Sequence, residues 1–387
     1  MGRLIYLDNS ATTRICEEAL EVYARVAREE FGNPSSLHAL GFHAEKIIDD
    51  ARATVLKSLY TKVGDVIFTA SGSEANNLAI VGHAMAKERY RGAKIITTMG
   101  EHASVSAPFD YLERLGYRVA RISTVGGEVD LDALVRELTQ DTILVSVMMV
   151  NNETGAIYDI PRIAELVRAK CPTAYIHVDA TQSYMKIPFS PEAISADMIT
   201  ISSHKIEGPK GVGALYISPR VKKEKGIFPI ILGGGQEGGL RSGTENVPGI
   251  AAFRKAIEIA HGEIREVAKR VGELREYLIE RLEAEAREVS ISKPVMPAPH
   301  ILNITLPKIK SETMLHYLSS EGIYVSSGSA CSSNSSHASS ALTAFGRSEA
   351  EADTSIRISL SKRNTKEEID IFVRVLCEAL AKLSRMK

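Results

Sequence analysis

The sequence predicts an α/β protein built on a mostly parallel sheet. Two observations carry that prediction. Short apolar runs recur between about residues 64 and 220, separated by longer amphipathic stretches, and five of those runs end in dense polar clusters. Near-continuous apolar strands suit a sheet covered on both faces, and the spacing between them suits crossover helices.

The runs, in order, are Val66-Ile67-Phe68, Lys94 to Thr98, Tyr117 to Ile122, Thr142 to Val150, Ala174 to Val178, Met198 to Ile201 and Val212 to Ile217. Beyond them, Arg254 to Arg287 is rich in Ala, Glu, Lys, Arg and Leu and free of Pro, which predicts one long helix leading out of the sheet region. A proline-bearing segment, Lys293 to His300, separates it from a second set of strands and helices. Thr365 with Glu368 three residues on forms a capping box that opens the final helix. Ser326 to Ser340 is dominated by Ser, Gly and Ala and reads, on composition, as a flexible loop.

Composition narrows the class. A chain of 387 residues exceeds one ordinary domain, so two domains or one large one is expected. Lys and Arg number 47 against 48 Asp and Glu, which leaves no global charge to draw nucleic acid or an anionic membrane. No apolar run of about 18 residues predicts a membrane span. Met1 to Ser10 reaches a polar cluster after one short apolar strand, unlike a signal peptide, so a cytoplasmic protein is expected. Four scattered cysteines (Cys16, Cys171, Cys331, Cys377) lack C-x-x-C spacing, which speaks against a disulfide framework or structural zinc. The closest histidine pairs, such as His38 and His43, make no recognised ligand pattern, and no intrinsic metal is expected.

The five strand-end clusters locate a site. They are Ser71-Gly72-Ser73-Glu74, Glu101-His102, Asn151-Asn152-Glu153, Asp179-Ala180-Thr181-Gln182 and Ser202-Ser203-His204-Lys205. In open α/β sheets ligands bind outside the carboxyl ends of the strands. Ser71-Gly72-Ser73 before a helix starting near Glu74 suits a phosphate cradle, or a simple N-cap. It lacks the Gly-Lys-Ser/Thr ending of a P-loop and the G-x-G-x-x-G of a dinucleotide site. Asp179, at the end of a buried strand, needs a partner: a protonated pyridine nitrogen, or an ordinary salt bridge. His102 suits stacking on an aromatic cofactor or proton transfer, or is a satisfied core histidine. Lys205 is by residue type a surface residue, yet a desolvated amine in a crevice suits Schiff-base chemistry with an aldehyde. Together these groups match pyridoxal phosphate better than any other common cofactor.

The ordered motifs resemble the cysteine desulfurases (NifS/IscS-like) of the class-V aminotransferases, within the fold-type-I pyridoxal-phosphate enzymes. The resemblance runs from Tyr6-Leu7-Asp8-Asn9-Ser10-Ala11-Thr12-Thr13 and Phe31-Gly32-Asn33-Pro34 through the clusters above. It continues to Gly208-Pro209-Lys210-Gly211, Arg241-Ser242-Gly243-Thr244, Ser327-Gly328-Ser329-Ala330-Cys331 and Ile356-Arg357-Ile358-Ser359. It implies a large domain with a mostly parallel seven-stranded sheet between helices (15–255) and a smaller α+β domain (1–14 and 256–387) carrying the cysteine loop. It also implies that Lys205 binds the cofactor covalently, His102 stacks on the ring, Asp179 pairs with the pyridine nitrogen and Gln182 bonds the phenolate oxygen. Gly72, Ser73, Ser202 and His204 hold the phosphate, Asn152 contacts the cofactor, and Thr244 reaches the phosphate of a neighbouring subunit in a homodimer. Asn33 and Arg357 hold the substrate carboxylate. Cys331 takes sulfur from L-cysteine as a persulfide, leaving L-alanine, and passes it to an acceptor such as an iron–sulfur scaffold. A transient cluster-ligand role for Cys331 is left open.

Three departures stand out. The phosphate loop reads Ala70-Ser71-Gly72-Ser73 where many relatives carry Ser-Gly-Ala-Thr, Ser361 stands where many have Gly, and the sequence stops at Lys387 without the longer tail that helps some relatives grip a scaffold. An aminotransferase or a selenocysteine lyase on the same fold is the competing reading.

Overall fold

The computed structural model describes residues 4–87, 90–327 and 339–383. In chain order the strands are β1 (Ile5–Tyr6), β2 (Asp65–Thr69), β3 (Lys94–Thr98), β4 (Arg118–Ile122), β5 (Thr142–Met148), β6 (Tyr175–Asp179), β7 (Met198–Ser202) and β8 (Gly213–Ile217). They are followed by β9 (Ser290–Ile291), β10 (Ile301–Thr305), β11 (Ile323–Tyr324), β12 (Ser326–Ser327) and β13 (Ser355–Ser359).

The seven runs read as strands form one sheet in the order β2-β8-β7-β6-β5-β3-β4. β7, β6, β5, β3 and β4 are parallel to one another, while β8 runs antiparallel to both β7 and β2. Every residue of β5, β6 and β7 is buried, as a sheet covered on both faces requires. One face packs the Val66, Phe68, Ile96, Val145 and Ile176 side chains into the largest apolar cluster, and the other packs Ile67, Ile95, Leu144 and Met198 into a separate one. That alternation is the period-2 geometry of strands.

A smaller sheet, β12-β13-β10-β9, is antiparallel throughout, and β1 pairs in parallel with β11. Its apolar cluster unites Ile5 and Leu7 with Leu278, Ile304, Ile356 and Phe372. The long helix starts earlier than its composition predicts, at Val247, and runs to Glu285. The reason is local: the Asn246 side chain accepts the Gly249 N–H and Pro248 occupies the first turn, where a proline costs no hydrogen bond. The Thr365–Glu368 capping box is present in both directions, at 3.2 and 3.3 Å. No described helix is long and apolar enough to cross a membrane.

Candidate active site

The carboxyl ends of β2, β3, β5, β6 and β7 open into one cavity of about 410 Å³. Ser71, Gly72, Ser73, His102, Asn152, Asp179, Gln182, Ser202, His204, Lys205 and Arg357 all line it. The structure therefore brings together most residues singled out in the sequence. Asn33 and Thr244 do not line it; both are exposed. Cys331 lies outside the described residues. The described chain on either side of it meets the site: Ser326 lines the cavity, and the Ser339 hydroxyl donates to the buried Glu153 carboxylate beside Asn152.

At the β2 end, Ser71 caps the helix Gly72–Asn77, which begins two residues before Glu74; its Oγ accepts the Glu74 N–H at 3.2 Å. The N-cap reading of this motif is therefore what the structure shows. Gly72 sits so close to β7 that a Cβ there would lie 3.3 Å from both Ser202 Cβ and Thr181 Oγ1. Ser202 Oγ is buried with no hydrogen-bond partner, an unmet cost unless a ligand supplies one. His204 Nδ1 lies 3.1 Å from Thr12 Oγ1, and burial, reinforced by the Lys205 charge, pushes its ring down to about 4.

The cavity floor is a hydrogen-bonded relay. Asn76 Nδ2 donates 2.8 Å bonds to both Asp179 Oδ2 and Ser104 Oγ. Asp179 Oδ1 accepts the Thr181 N–H at 2.9 Å. Because Ser104 Oγ accepts from Asn76, its own proton points to His102 Nδ1 at 2.8 Å, and that nitrogen also accepts the Ser104 N–H at 3.1 Å. Nδ1 is therefore the unprotonated nitrogen and Nε2 carries the hydrogen. Burial pushes His102 below its ordinary value, keeping the ring neutral despite the Asp179 charge. Beside it, Glu101 is fully enclosed and pushed up to about 8 by burial, with Thr98 Oγ1 and the Met148 N–H bonding its carboxyl.

Lys205 Nζ donates to the carbonyls of Ser10 and Ala11. Gln182 Nε2 donates to the same Ser10 carbonyl at 2.9 Å. Across the cavity, Arg357 on β13 donates 2.8 Å bonds to Asn152 O and Asp8 Oδ1, and its buried Nε has no partner. Asn76, Ser104, Asp8 and Glu101 are parts of the site to which the sequence assigned no role. Glu101 and Asp8 lay inside the quoted motifs, but their partners are tertiary; nothing local marked Asn76 or Ser104.

The chain matches the aminotransferase class-V family over residues 5–372. It therefore belongs to that family, whose enzymes depend on pyridoxal phosphate. Within it, cysteine desulfurase IscS 1 of Archaeoglobus fulgidus is 39% identical over 98% of both chains. Cysteine desulfurase IscS of Dictyoglomus turgidum is 40% identical over 99% of this chain and 96% of its own. A solved NifS-like protein superposes with a TM-score of 0.90 at 38% identity, covering 98% of this chain and all of the other. A structure of SspA in complex with cysteine superposes at 0.78 with 29% identity, over 93% of this chain and the whole of the other. The residues present fit the cofactor. The orphaned Ser202 hydroxyl, the Gly72 approach and the paired Asp179 carboxylate offer a phosphate donor, backbone access and an acceptor for a ring N–H.

Proposed function

We propose that the chain is a cysteine desulfurase that moves sulfur from L-cysteine to Cys331. The observation that carries this reading is the convergence of Lys205, Asp179, His102 and Arg357 on one cavity flanked by both described ends of the Cys331 segment. Pyridoxal phosphate, when bound, supplies an electron sink for negative charge developing at the substrate α-carbon.

The protein's own groups do the rest. Ser202, His204, Gly72 and Ser73 hold the phosphate; Asp179 accepts the ring N–H, and Asn152 lines the same pocket. Gln182 offers its Nε2 hydrogens to the phenolate oxygen. His102, neutral and hydrogenated at Nε2, packs flat without bringing a second cation to the ring. Lys205 would hold the cofactor, and its amine is the base placed to take the substrate α-proton. The Arg357 guanidinium, already oriented by Asp8 and Asn152, supplies the positive charge that receives the substrate carboxylate. The Cys331 thiolate attacks the substrate sulfur; the new S–S bond forms as the Cβ–S bond breaks, and protonation of the carbon skeleton leaves L-alanine. Cys331 follows Ser326 by five Cα–Cα steps, a span of at most about 18 Å.

Asn33 and Thr244 belong in this reading to a homodimer, where Thr244 serves the neighbouring site. Exposed Phe31, Leu37 and Phe42 around Asn33 suit a face covered by a second copy. The protein is then a cytoplasmic sulfur donor to an iron–sulfur scaffold or another acceptor. Two variants test the chemistry. Lys205→Ala is expected to lose the visible absorption of bound cofactor and all turnover. Cys331→Ala is expected to keep the absorption and lose sulfide release from cysteine by about 10²-fold or more. Intact sulfide release by Cys331→Ala contradicts the persulfide route.

A further inference from the structure

Lys205 also borders a second cavity, of about 90 Å³, walled by apolar side chains such as Ile259, Val267 and Val271. Lys186 borders it too. Lys186 stands four residues after Gln182 in a run of turns, and its Nζ donates to Gln182 Oε1 at 3.3 Å. Gln182 Nε2 then donates to Ser10 O, which also receives Lys205 Nζ. A lysine ammonium has three donors and no acceptor. Facing Gln182, it admits only the amide oxygen on its own side, so the amide nitrogen is turned toward Ser10 and the Lys205 amine.

We propose that Lys186 is a positioning residue: its hydrogen bond fixes the orientation of the Gln182 amide, so that the donor end faces the cofactor oxygen. This deepens the cofactor reading above and rests on it. Ser10 O holds the nitrogen end of the amide and Lys186 the oxygen end; without Lys186 a single bond opposes the flip that sets an acceptor against an anionic oxygen. Lys186 also adds a positive charge close to the cofactor lysine. Burial, then the Lys205 and Arg357 charges, push its amine down to about 7. The other titratable or charged groups around it are His300, His204, and, on the cavity wall, Glu207, Glu263 and Lys362; the last two pair with each other at 2.6 Å and Glu207 pairs with Arg363. Among the described residues no carboxylate bonds Lys186, and Gln182 is its polar anchor.

The test reads the pH midpoint at which the visible absorption of the loaded holoenzyme changes. Losing a cation and an oriented donor both favour the protonated cofactor nitrogen, so both raise that midpoint. Lys186→Met removes both and is expected to raise it by roughly 0.5–1 unit. Lys186→Gln keeps a donor without the charge and rises less, while Lys186→Arg stays near wild type. In a Gln182→Leu background the difference between Lys186→Met and Lys186→Gln disappears. Equal shifts for Lys186→Met and Lys186→Gln, an unmoved midpoint, or a difference that survives in the Gln182→Leu background each overturn the proposal. Lys186→Leu and Lys186→Ala are made alongside; if none of the three donor-free chains folds while Lys186→Gln does, the role is structural and the proposal falls. A wild-type protein that takes up no visible band from pyridoxal phosphate sinks the cofactor reading instead, so the two failures are distinct.

Discussion

At the scale of residues, the site is held less by its prominent groups than by the short polar side chains beneath them. Asn76, buried at 1% exposure, joins Asp179 to Ser104 and through it to His102. Asn76→Ala leaves a buried carboxylate oxygen and a serine hydroxyl short of a donor, which costs about 1–3 kcal/mol. The expected outcome is a chain that folds with lower stability by that amount in denaturant titration. Its turnover falls about tenfold, because the His102 ring is released along with Asp179. Unchanged activity in a destabilised chain would show that the relay only supports packing. Lys205, Asp179 and His102 were legible in the sequence because each follows an apolar run that could only be a strand. Asn76 and Ser104 were not, because what makes them matter is a contact between residues 28 and 103 positions apart. The carbonyls of Ser10 and Ala11 that receive Lys205 belong to backbone, which no residue type announces.

At the scale of elements, the phosphate cradle depends on how closely β8 passes under it. A Cβ on Gly213 would fall 2.5 Å from the Ser71 carbonyl carbon and 2.8 Å from Gly72 N, backbone atoms that cannot swing aside. Gly213→Ala is therefore expected to displace the 71–72 loop while leaving β8 paired with β2 and β7. Cofactor affinity should fall at least about tenfold, or ~1.4 kcal/mol, with little change in the far-UV circular dichroism. Wild-type affinity would mean that the loop tolerates the shift. All seven large-sheet strands were legible: burial on both faces makes β5, β6, β7 and β8 nearly continuous apolar runs, while the partly exposed edge strand β4 shows as an alternating one. The reversal of β8 was not, because a fully buried strand looks the same in either direction. The start of the long helix was obscured for another reason. Its first turn, Val247-Pro248-Gly249, has poor helix formers, and the signal lay in the Asn246 cap before them. Two-residue strands such as β1 and β12 carry too few side chains for any period.

At the scale of the whole molecule, the core makes stability sensitive to acid. His83 is wholly buried, its Nδ1 2.7 Å from the Gly226 carbonyl and its ring edge-on to Tyr175. Burial pushes it down to about 4. A histidine lowered in the folded state binds fewer protons there than when unfolded, so its share of stability is present above pH 6.5. That share is lost as pH falls toward 4, up to about 3 kcal/mol. Glu101 acts with opposite sign: raised to about 8, it binds an extra proton when folded, and stability falls as pH climbs from 4.5 to 8. The two slopes offset each other between pH 4.5 and 6.5, so the thermal unfolding midpoint should be nearly level there and fall on either side, with the acid limb flattened by His83→Gln and the alkaline limb by Glu101→Gln. Limbs that are unchanged in these variants would place the titration elsewhere.

Both the buried relay and the Arg357 charge serve one claim, that sulfur leaves cysteine for Cys331. The direct measurement is to incubate the loaded protein with L-cysteine, alkylate the product and map the modified peptide by mass spectrometry. The account predicts one added sulfur on the peptide containing Cys331, absent in Lys205→Ala. A persulfide on Cys16, Cys171 or Cys377 instead, or sulfide and alanine released with Cys331 never modified, would contradict it.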